Sequence, residues 1–192
     1  MEKITFTTGA MGSGKSAELI EIYEKDNTRK ICFSASLNKK TGYKNKISSR
    51  NGKEIDSISL SINDSPEKIV KKITDLVELL DIQTIYIDEI QFFEYLSIKE
   101  ICKISKKYNV GMNLYGLKTT FSDKYFNSSL YLLTVLFDEN LRELKMFCQE
   151  DNCSNYAEHN ARIVNGKIVK TGETFLEEKS TYKSLCSKHY ES

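Results

Sequence analysis

Apolar residues along this chain fall into two alternating patterns, short nearly continuous runs and longer stretches with helical spacing. The short runs are typical of strands buried in a sheet, and they lie at 4–8, 29–35, 84–87 and 111–117. Apolar positions three and four residues apart predict helices at 15–25, 66–81, 95–108 and 126–138. Because strands and helices alternate, we expect a parallel sheet with right-handed crossovers, the α/β class.

The pattern changes near residue 141. Residues 142–145 are compatible with either a strand or a helix. The dipeptide Asn165-Gly166 then predicts a hairpin turn between short apolar flanks at 162–164 and 168–169. We therefore expect a core domain at 1–141 and a small β-rich lobe at 142–192.

Residues 9–16, Gly-Ala-Met-Gly-Ser-Gly-Lys-Ser, match the pattern G-x-x-x-x-G-K-[ST] of a phosphate-binding loop, or P-loop. Glycines permit turns that would otherwise push a Cβ into the ligand, so successive N–H groups can face phosphate oxygens. Lys15 supplies charge for the β- and γ-phosphates, and the Ser16 hydroxyl is a ligand for Mg²⁺. A predicted strand and helix flank the motif, which favours a nucleotide site over a simple Gly-rich turn. The expected phosphate-binding residues are Gly9, Ala10, Met11, Gly12, Ser13, Gly14, Lys15 and Ser16.

An acidic pair, Asp88 and Glu89, follows the predicted strand at 84–87. P-loop proteins need a carboxylate at the end of a neighbouring strand to hold Mg²⁺, and Asp88 has that position. In an extended chain Glu89 would point to the opposite face, so it is free to take a proton from an acceptor hydroxyl. Gln91 is also expected to bind the nucleotide, together with Asp88. The alternative is that the acidic pair is solvated surface.

Four soft metal ligands lie near the C-terminal end, in the pairs Cys148 and Cys153, then Cys186 and His189. The pairs are separated by 32 residues that contain the predicted hairpin, which is the usual plan of a structural Zn²⁺ site. A lobe this small has little apolar material, so a metal would supply the missing stability. The alternatives are unrelated thiols, or His159 as the fourth ligand, although its isolated position favours a surface role.

Composition and charge exclude several classes of protein. With 192 residues and 40% hydrophobic content the chain can bury a real core, whereas its net charge of +1 gives no bulk reason to bind nucleic acid or membranes. No apolar run reaches the ~18 residues of a membrane span, and we expect no signal peptide. Five cysteines, an odd number, favour a reducing compartment, so we expect a cytoplasmic protein.

Residues 38–53 form a polar and basic stretch with six lysine or arginine side chains. The simplest interpretation is a solvated loop. The alternative is a flexible basic segment that closes over bound phosphates.

The motifs in this order resemble the cytosolic-type (type II) thymidine kinases over essentially the whole chain. The matching stretches are the P-loop and residues 87–93, 115–121, 129–133, 143–148 and 182–190. The resemblance implies a RecA-like P-loop core that transfers the γ-phosphoryl group of ATP to the 5′-hydroxyl of thymidine, with deoxyuridine as a further candidate substrate. It also implies Mg²⁺, a structural zinc, a homotetramer and inhibition by dTTP.

The resemblance also assigns roles to single residues. Glu89 would be the general base, and Asp88 would act on the metal through water. Tyr182 would belong to the loop that covers the nucleoside. The residues expected to wall the base pocket are Met11, Leu117, Phe121 and Phe126.

Two stretches depart from the family pattern, because residues 175–182 lack its Gly-Gly pair and residues 38–40 replace its Asp-x-Arg. Two other functions stay open. One is a nucleic-acid-stimulated P-loop ATPase, because Asp-Glu-x-Gln is also a helicase-type motif. The other is a nucleotide-binding regulator that phosphorylates no deoxynucleoside.

Overall fold

Seven strands form the central sheet of the computed structural model, which describes residues 3–36, 44–172 and 180–191. The strand order is β3-β4-β2-β5-β6-β1-β7. All neighbouring pairs run parallel except β3 and β4, which form an antiparallel hairpin at one edge. The strands are β1 Ile4–Gly9, β2 Lys30–Ser36, β3 Lys44–Ser48, β4 Glu54–Ser61, β5 Thr84–Asp88, β6 Gly111–Tyr115 and β7 Leu141–Leu144. The predicted α/β class with its parallel sheet is confirmed.

Four helices cover the two faces of this sheet. They are α1 Lys15–Lys25, α2 Pro66–Leu80, α3 Tyr95–Tyr108 and α4 Asn127–Val135. Side chains alternate along a strand, so Ile85 and Ile87 pack in the cluster that includes α2, α3 and α4, whereas Tyr86 packs in the cluster that includes α1. The helices therefore lie on both faces and bury the apolar strands between them.

The glycine-rich end of β1 and the acidic end of β5 lie on the same side of the sheet, where the parallel strands finish. β1 ends at Gly9 and β5 ends at Asp88, and both strands run parallel to β6, which lies between them. Ligand sites in parallel sheets lie outside the carboxyl ends of the strands. A ligand site is therefore expected at these strand ends.

The basic stretch expected to be a loop contains a strand. Residues 44–48 form β3, which pairs with β4, a strand that the sequence did not reveal. Ile47 and Ile55 are buried, whereas Lys46 and Glu54 form an ion pair on the exposed side. The apolar side of the hairpin is too short and too interrupted to produce a strand signal. Residues 38–40 lie outside the described part of the chain.

A second, three-stranded antiparallel sheet follows, with the order β10-β8-β9. Its strands are β8 His159–Val164, β9 Lys167–Val169 and β10 Thr181–Leu185, and the short helix α5, Ser187–Tyr190, ends the fold. Asn165 and Gly166 both have positive φ, 50° and 74°, as the predicted two-residue hairpin turn requires.

Strand β7 extends the main sheet three residues beyond residue 141. The division of the chain into domains at that residue stays a prediction. Among the described residues, no helix combines the length and apolar content needed to cross a membrane.

Candidate active site

The P-loop wraps around its own lysine. Gly9, Gly12 and Gly14 have φ values of 150°, 80° and 92°, which residues other than glycine rarely adopt. A Cβ on Gly9 would lie 2.4 Å from the carbonyl oxygen of Leu144, so a larger residue is excluded there. Lys15 is buried and donates from Nζ to the carbonyl oxygens of Gly9 at 3.0 Å and Ala10 at 2.9 Å. Burial lowers the pKa of Lys15.

Asp88 and Ser16 meet behind the P-loop. The Ser16 hydroxyl donates to Asp88 Oδ2 at 3.2 Å, and the Glu89 backbone N–H donates to Asp88 Oδ1 at 3.0 Å. Burial, with the nearby Glu89 charge as the second cause, raises the pKa of Asp88 to about 7. A buried carboxylate beside a hydroxyl at the edge of a phosphate loop is the all-oxygen donor set that Mg²⁺ prefers. These two residues therefore fit the cation that the motif implies.

Glu89 does not continue the strand. The prediction of an extended chain here is wrong, because Glu89 has φ 58° and ψ 40° and begins a 3₁₀ turn at Ile90–Phe92. The left-handed residue redirects the chain at the sheet edge. Its carboxylate lines the cleft beside the P-loop, whereas Asp88 stays buried behind it.

Gln91 links the Glu89 carboxylate to the opposite wall of the cleft. Its Nε2 donates to Glu89 Oε2 at 2.5 Å, and its Oε1 accepts from the Leu117 N–H at 3.1 Å. The side chain is buried, and a Cβ on Gly116 would come within 2.6 Å of Oε1, so glycine makes room for this bridge. The nucleotide-binding role expected for Gln91 stays a prediction.

Lys15, Ser16, Glu89 and Gln91 border one open cleft of about 440 Å³. Its walls come from four segments that are far apart in the sequence. They are the P-loop with the start of α1, the tip of the β3–β4 hairpin at 48–51, residues 89–92, and Leu117.

The expected base-pocket residues divide into two groups. Met11 and Leu117 line the cleft directly, and the Phe126 ring packs edge-on against Phe92, a cleft residue, with centroids 6.1 Å apart. Phe121 is buried beneath the Arg162 guanidinium, whose central carbon lies 4.9 Å from the ring centroid. Tyr182 lies opposite Arg162 in the small sheet and outside the cleft lining. Residues 175–179 of the expected nucleoside loop lie outside the described residues.

The small sheet holds the P-loop through two hydrogen bonds that sequence reasoning missed. The Met11 N–H donates to Asn160 Oδ1 at 2.7 Å, and the Ser184 hydroxyl donates to the Met11 carbonyl oxygen at 2.6 Å. Asn160 also donates to the Thr119 carbonyl oxygen at 3.3 Å. Asn160 and Ser184 are buried polar residues in strands. Their burial would have pointed to this contact, but it is not visible in the sequence.

The four expected zinc ligands form one cluster. Their ligand atoms all lie within 4.8 Å of one another, with Cys153 Sγ 3.8 Å from Cys186 Sγ. A Zn–S bond of about 2.3 Å in a tetrahedron places two sulfurs about 3.8 Å apart, so the spacing fits zinc. The His189 backbone N–H lowers the pKa of Cys186 to about 6, which favours the thiolate that binds metal.

His159 lies apart from this cluster and has other contacts. Its Nδ1 is 2.8 Å from Asp123 Oδ1, and its Nε2 is 3.1 Å from the Ser187 hydroxyl oxygen. The ring stacks on Tyr190 with centroids 4.4 Å apart. His159 is therefore a packed residue between the lobe and the Asp123 loop.

The parallel sheet and the P-loop define a P-loop nucleotide-binding protein. A profile of the family described as "Thymidine kinase" matches residues 2–190. This chain belongs to the thymidine kinase family, and the resemblance noted from its motifs is confirmed. Members of this family are kinases, so the chain belongs to a transferase family.

Bacterial relatives match over nearly their full length. The chain is 43% identical over 187 residues to a thymidine kinase of Bacillus subtilis subsp. natto, covering 97% of this chain and 95% of that protein. It is 28% identical to a thymidine kinase of Francisella tularensis subsp. holarctica (strain LVS), over 99% and 97% of the two chains. A thymidine kinase of Shewanella oneidensis is 29% identical, with the same coverage of 99% and 97%.

Solved structures that match part of the chain include Bacteroides Pif1 bound to ssDNA, with 17% identity and a TM-score of 0.38 over 74% of this chain and 38% of that chain. A phage large terminase has 10% identity and a TM-score of 0.43, over 74% and 40%. At these scores the likeness has no bearing on function.

Proposed function

We propose that this protein transfers the γ-phosphoryl group of ATP to the 5′-hydroxyl of thymidine, with Mg²⁺, and yields dTMP for nucleotide salvage. Membership of the thymidine kinase family supports the reaction class. The observation that carries the proposal is the place of Glu89, whose carboxylate lies in the same cleft as the P-loop and the apolar Met11 and Leu117. A carboxylate that can accept a proton, placed between a phosphate site and an apolar wall, fits a nucleoside whose hydroxyl is phosphorylated and whose base lies on the apolar wall.

The phosphate end of the cleft is proposed to bind ATP. The P-loop N–H groups and the N-terminus of α1 favour negative charge. Lys15 Nζ now donates to two loop carbonyls, and it would turn toward the β- and γ-phosphates on binding. Ser16 and Asp88 would hold Mg²⁺, which neutralises charge on the phosphates when it is bound.

The chemical step needs one proton acceptor. The thymidine 5′-oxygen attacks the γ-phosphorus, a new O–P bond forms, and the bond from phosphorus to the β,γ-bridging oxygen breaks. ADP leaves with that electron pair, and the hydroxyl proton passes to the Glu89 carboxylate. Gln91 donates to Glu89 Oε2 at 2.5 Å and so orients the carboxylate toward the hydroxyl.

The other end of the cleft is proposed to hold the base. Met11, Leu117 and Phe126 would contact its faces, with Phe121 packed behind them and Tyr182 beside the covering segment. Deoxyuridine, which differs from thymidine by one methyl group, is a further candidate substrate. A methyl group in an apolar pocket changes affinity by only about 1 kcal/mol.

Cys148, Cys153, Cys186 and His189 are proposed to hold a structural zinc ion. Their spacing fits a tetrahedral site, and all four positions are taken by protein ligands, as in structural rather than catalytic zinc sites.

Three further properties are proposed from the family: inhibition by dTTP, a homotetramer and a cytoplasmic location. Apolar side chains on the outside of α2, α3 and α4 support an assembly, since Leu79, Leu96 and Leu130 are 77%, 52% and 43% exposed. Light scattering coupled to gel filtration tests the assembly.

The experiment for the reaction measures ADP formation and product mass with each natural deoxynucleoside and with deoxyuridine. We expect a phosphorylated product from thymidine. ATP hydrolysis that responds to an oligonucleotide but not to thymidine would overturn the proposal and favour a nucleic-acid-stimulated ATPase. Nucleotide binding without any phosphorylated product would favour a regulator.

A further inference from the structure

Arg50, at the tip of the β3–β4 hairpin, lies against the P-loop. A Cβ on Gly12 would come within 2.9 Å and 3.0 Å of the two terminal nitrogens of the Arg50 guanidinium. Glycine at this position leaves room for the guanidinium beside the loop, whereas a Cβ would displace it. Arg50 shares the cleft lining with Lys15, Ser16 and Glu89. The side chain therefore extends from the opposite edge of the sheet into the phosphate site.

The hairpin that carries Arg50 is anchored on the P-loop helix. Ile47 and Ile55 share an apolar cluster with Leu19 and Ile20 of α1. The tip is itself ordered by hydrogen bonds, from the Ser49 N–H to the Lys53 carbonyl oxygen at 2.9 Å and from the Gly52 N–H to the Ser49 carbonyl oxygen at 3.0 Å. A side chain on such a support can be held at a set distance from the loop.

The charges on the hairpin differ in their partners. Lys46 pairs with Glu54 at 2.7 Å, and Lys53 pairs with Glu24 at 2.9 Å. Within residues 3–36, 44–172 and 180–191, no carboxylate forms an ion pair with Arg50. Its guanidinium shares the cleft with the Lys15 ammonium and the Glu89 carboxylate, and the charges of both Glu89 and Arg50 act on Lys15. Two cations that converge on one cleft favour an anion between them.

We propose that Arg50 is a catalytic residue that contacts the transferred phosphoryl group of ATP and stabilises the charge that its oxygens carry in the transition state. This inference rests on the proposed kinase function and adds a residue to it. During transfer, negative charge spreads over the three equatorial oxygens of the γ-phosphoryl group. A planar guanidinium can donate two parallel hydrogen bonds to two of those oxygens, which an ammonium cannot do.

The experiment compares Arg50→Ala, Arg50→Lys and Lys46→Ala with the unchanged protein. Lys46→Ala removes one positive charge from the same hairpin, on its exposed side, and is the control. For each variant we would measure kcat and KM for thymidine and ATP, ADP affinity, and the affinity for ADP with aluminium fluoride and thymidine, which mimics the transition state.

We expect Arg50→Ala to lower kcat by about 10³-fold, the low end for an arginine that stabilises this transition state. Affinity for the aluminium fluoride complex should fall to a similar extent, whereas ADP affinity changes by less than about threefold. Arg50→Lys should recover only a small part of the activity, and free guanidinium should raise the turnover of Arg50→Ala. Lys46→Ala should behave as the unchanged protein.

A loss below tenfold in both Arg50 variants, or equal losses of ADP and transition-state affinity, overturns the role of Arg50. Absence of thymidine phosphorylation by the unchanged protein overturns the proposed function instead. The two failures are therefore distinguishable. Circular dichroism of each variant shows that the fold is retained.

Discussion

Glu89 reaches the cleft because its backbone is left-handed, an uncommon conformation for a residue with a Cβ. The neighbouring contacts hold it there, since its N–H donates to Asp88 and its carboxylate accepts from Gln91. Non-glycine residues with positive φ recur at functional sites, where the surrounding structure sustains the strain. The conformation thus agrees with the role proposed for this carboxylate.

Replacing Glu89 with glutamine tests that role at the level of one residue. Glu89→Gln keeps the size of the side chain but removes its ability to accept a proton. We expect kcat to fall by ~10²-fold or more. The affinities for ATP and thymidine, measured by calorimetry, should change little. Unchanged turnover would remove Glu89 from the mechanism.

Among the structural elements, the small sheet is notable because its two faces contact different parts of the molecule. Along β8, Ala161 and Ile163 pack in the apolar cluster that contains the cysteine ligands. Asn160 and Arg162 point the other way, toward Met11 and the Phe121 ring. One face of the sheet is thus built on the cluster of three cysteines and His189, and the other contacts Met11 of the cleft and the buried Phe121 ring.

Asn160→Ala should loosen the Met11 wall of the cleft. The change removes the hydrogen bonds of Asn160 with Met11 and with Thr119, and the bond with Met11 alone is worth about 1–2 kcal/mol, so we expect KM for thymidine to rise at least about tenfold while KM for ATP changes less. Steady-state kinetics with each substrate varied in turn provide the measurement. Thr181→Ala, an exposed change in the same small sheet, is the matched control. Equal changes in both KM values would show that Asn160 supports the whole loop rather than the nucleoside wall.

Metal content can be tested on the same lobe. We expect about one zinc per chain by elemental analysis, and Cys186→Ala should lose it. Because zinc binding and folding are coupled in small lobes, the variant should lose the protection of β8, β9 and β10 from proteolysis. Cys102→Ala, a change at a buried thiol outside the cluster, should keep its zinc. A metal-free protein with a folded lobe contradicts the site.

The whole molecule depends on the sheet core rather than on its surface charges. Ile73 of α2 is fully buried in the main apolar cluster. Ile73→Ala should lower the free energy of unfolding by about 2–5 kcal/mol. Lys71→Ala, which removes an exposed ion pair with Asp75 on the same helix, should cost less than about 1 kcal/mol. Thermal unfolding should show about 2–4 °C of Tm loss per kcal/mol. Similar losses for both variants would contradict this assignment of the core.

The sequence by itself determined those features whose geometry depends on residues close together in the chain. The P-loop glycines, Lys15 and Asp88 at the end of β5 lie within short segments whose geometry is local, and the expected zinc ligands come as two local pairs. The strands that support them have strong apolar runs, so their positions were predictable to within a few residues. The family resemblance followed from these segments and was confirmed.

Only the tertiary structure decided which distant residues meet. Met11 contacts Asn160 and Ser184, which lie 149 and 173 residues away in the chain. Arg50 reaches Gly12 because β3 and β4 form a hairpin at the sheet edge that packs on α1. Such contacts depend on strand order and on the path of the chain, which residue patterns do not encode locally. The left-handed Glu89 belongs here too, since Gln91, which donates to its carboxylate, is itself held by the Leu117 N–H, 26 residues further along the chain.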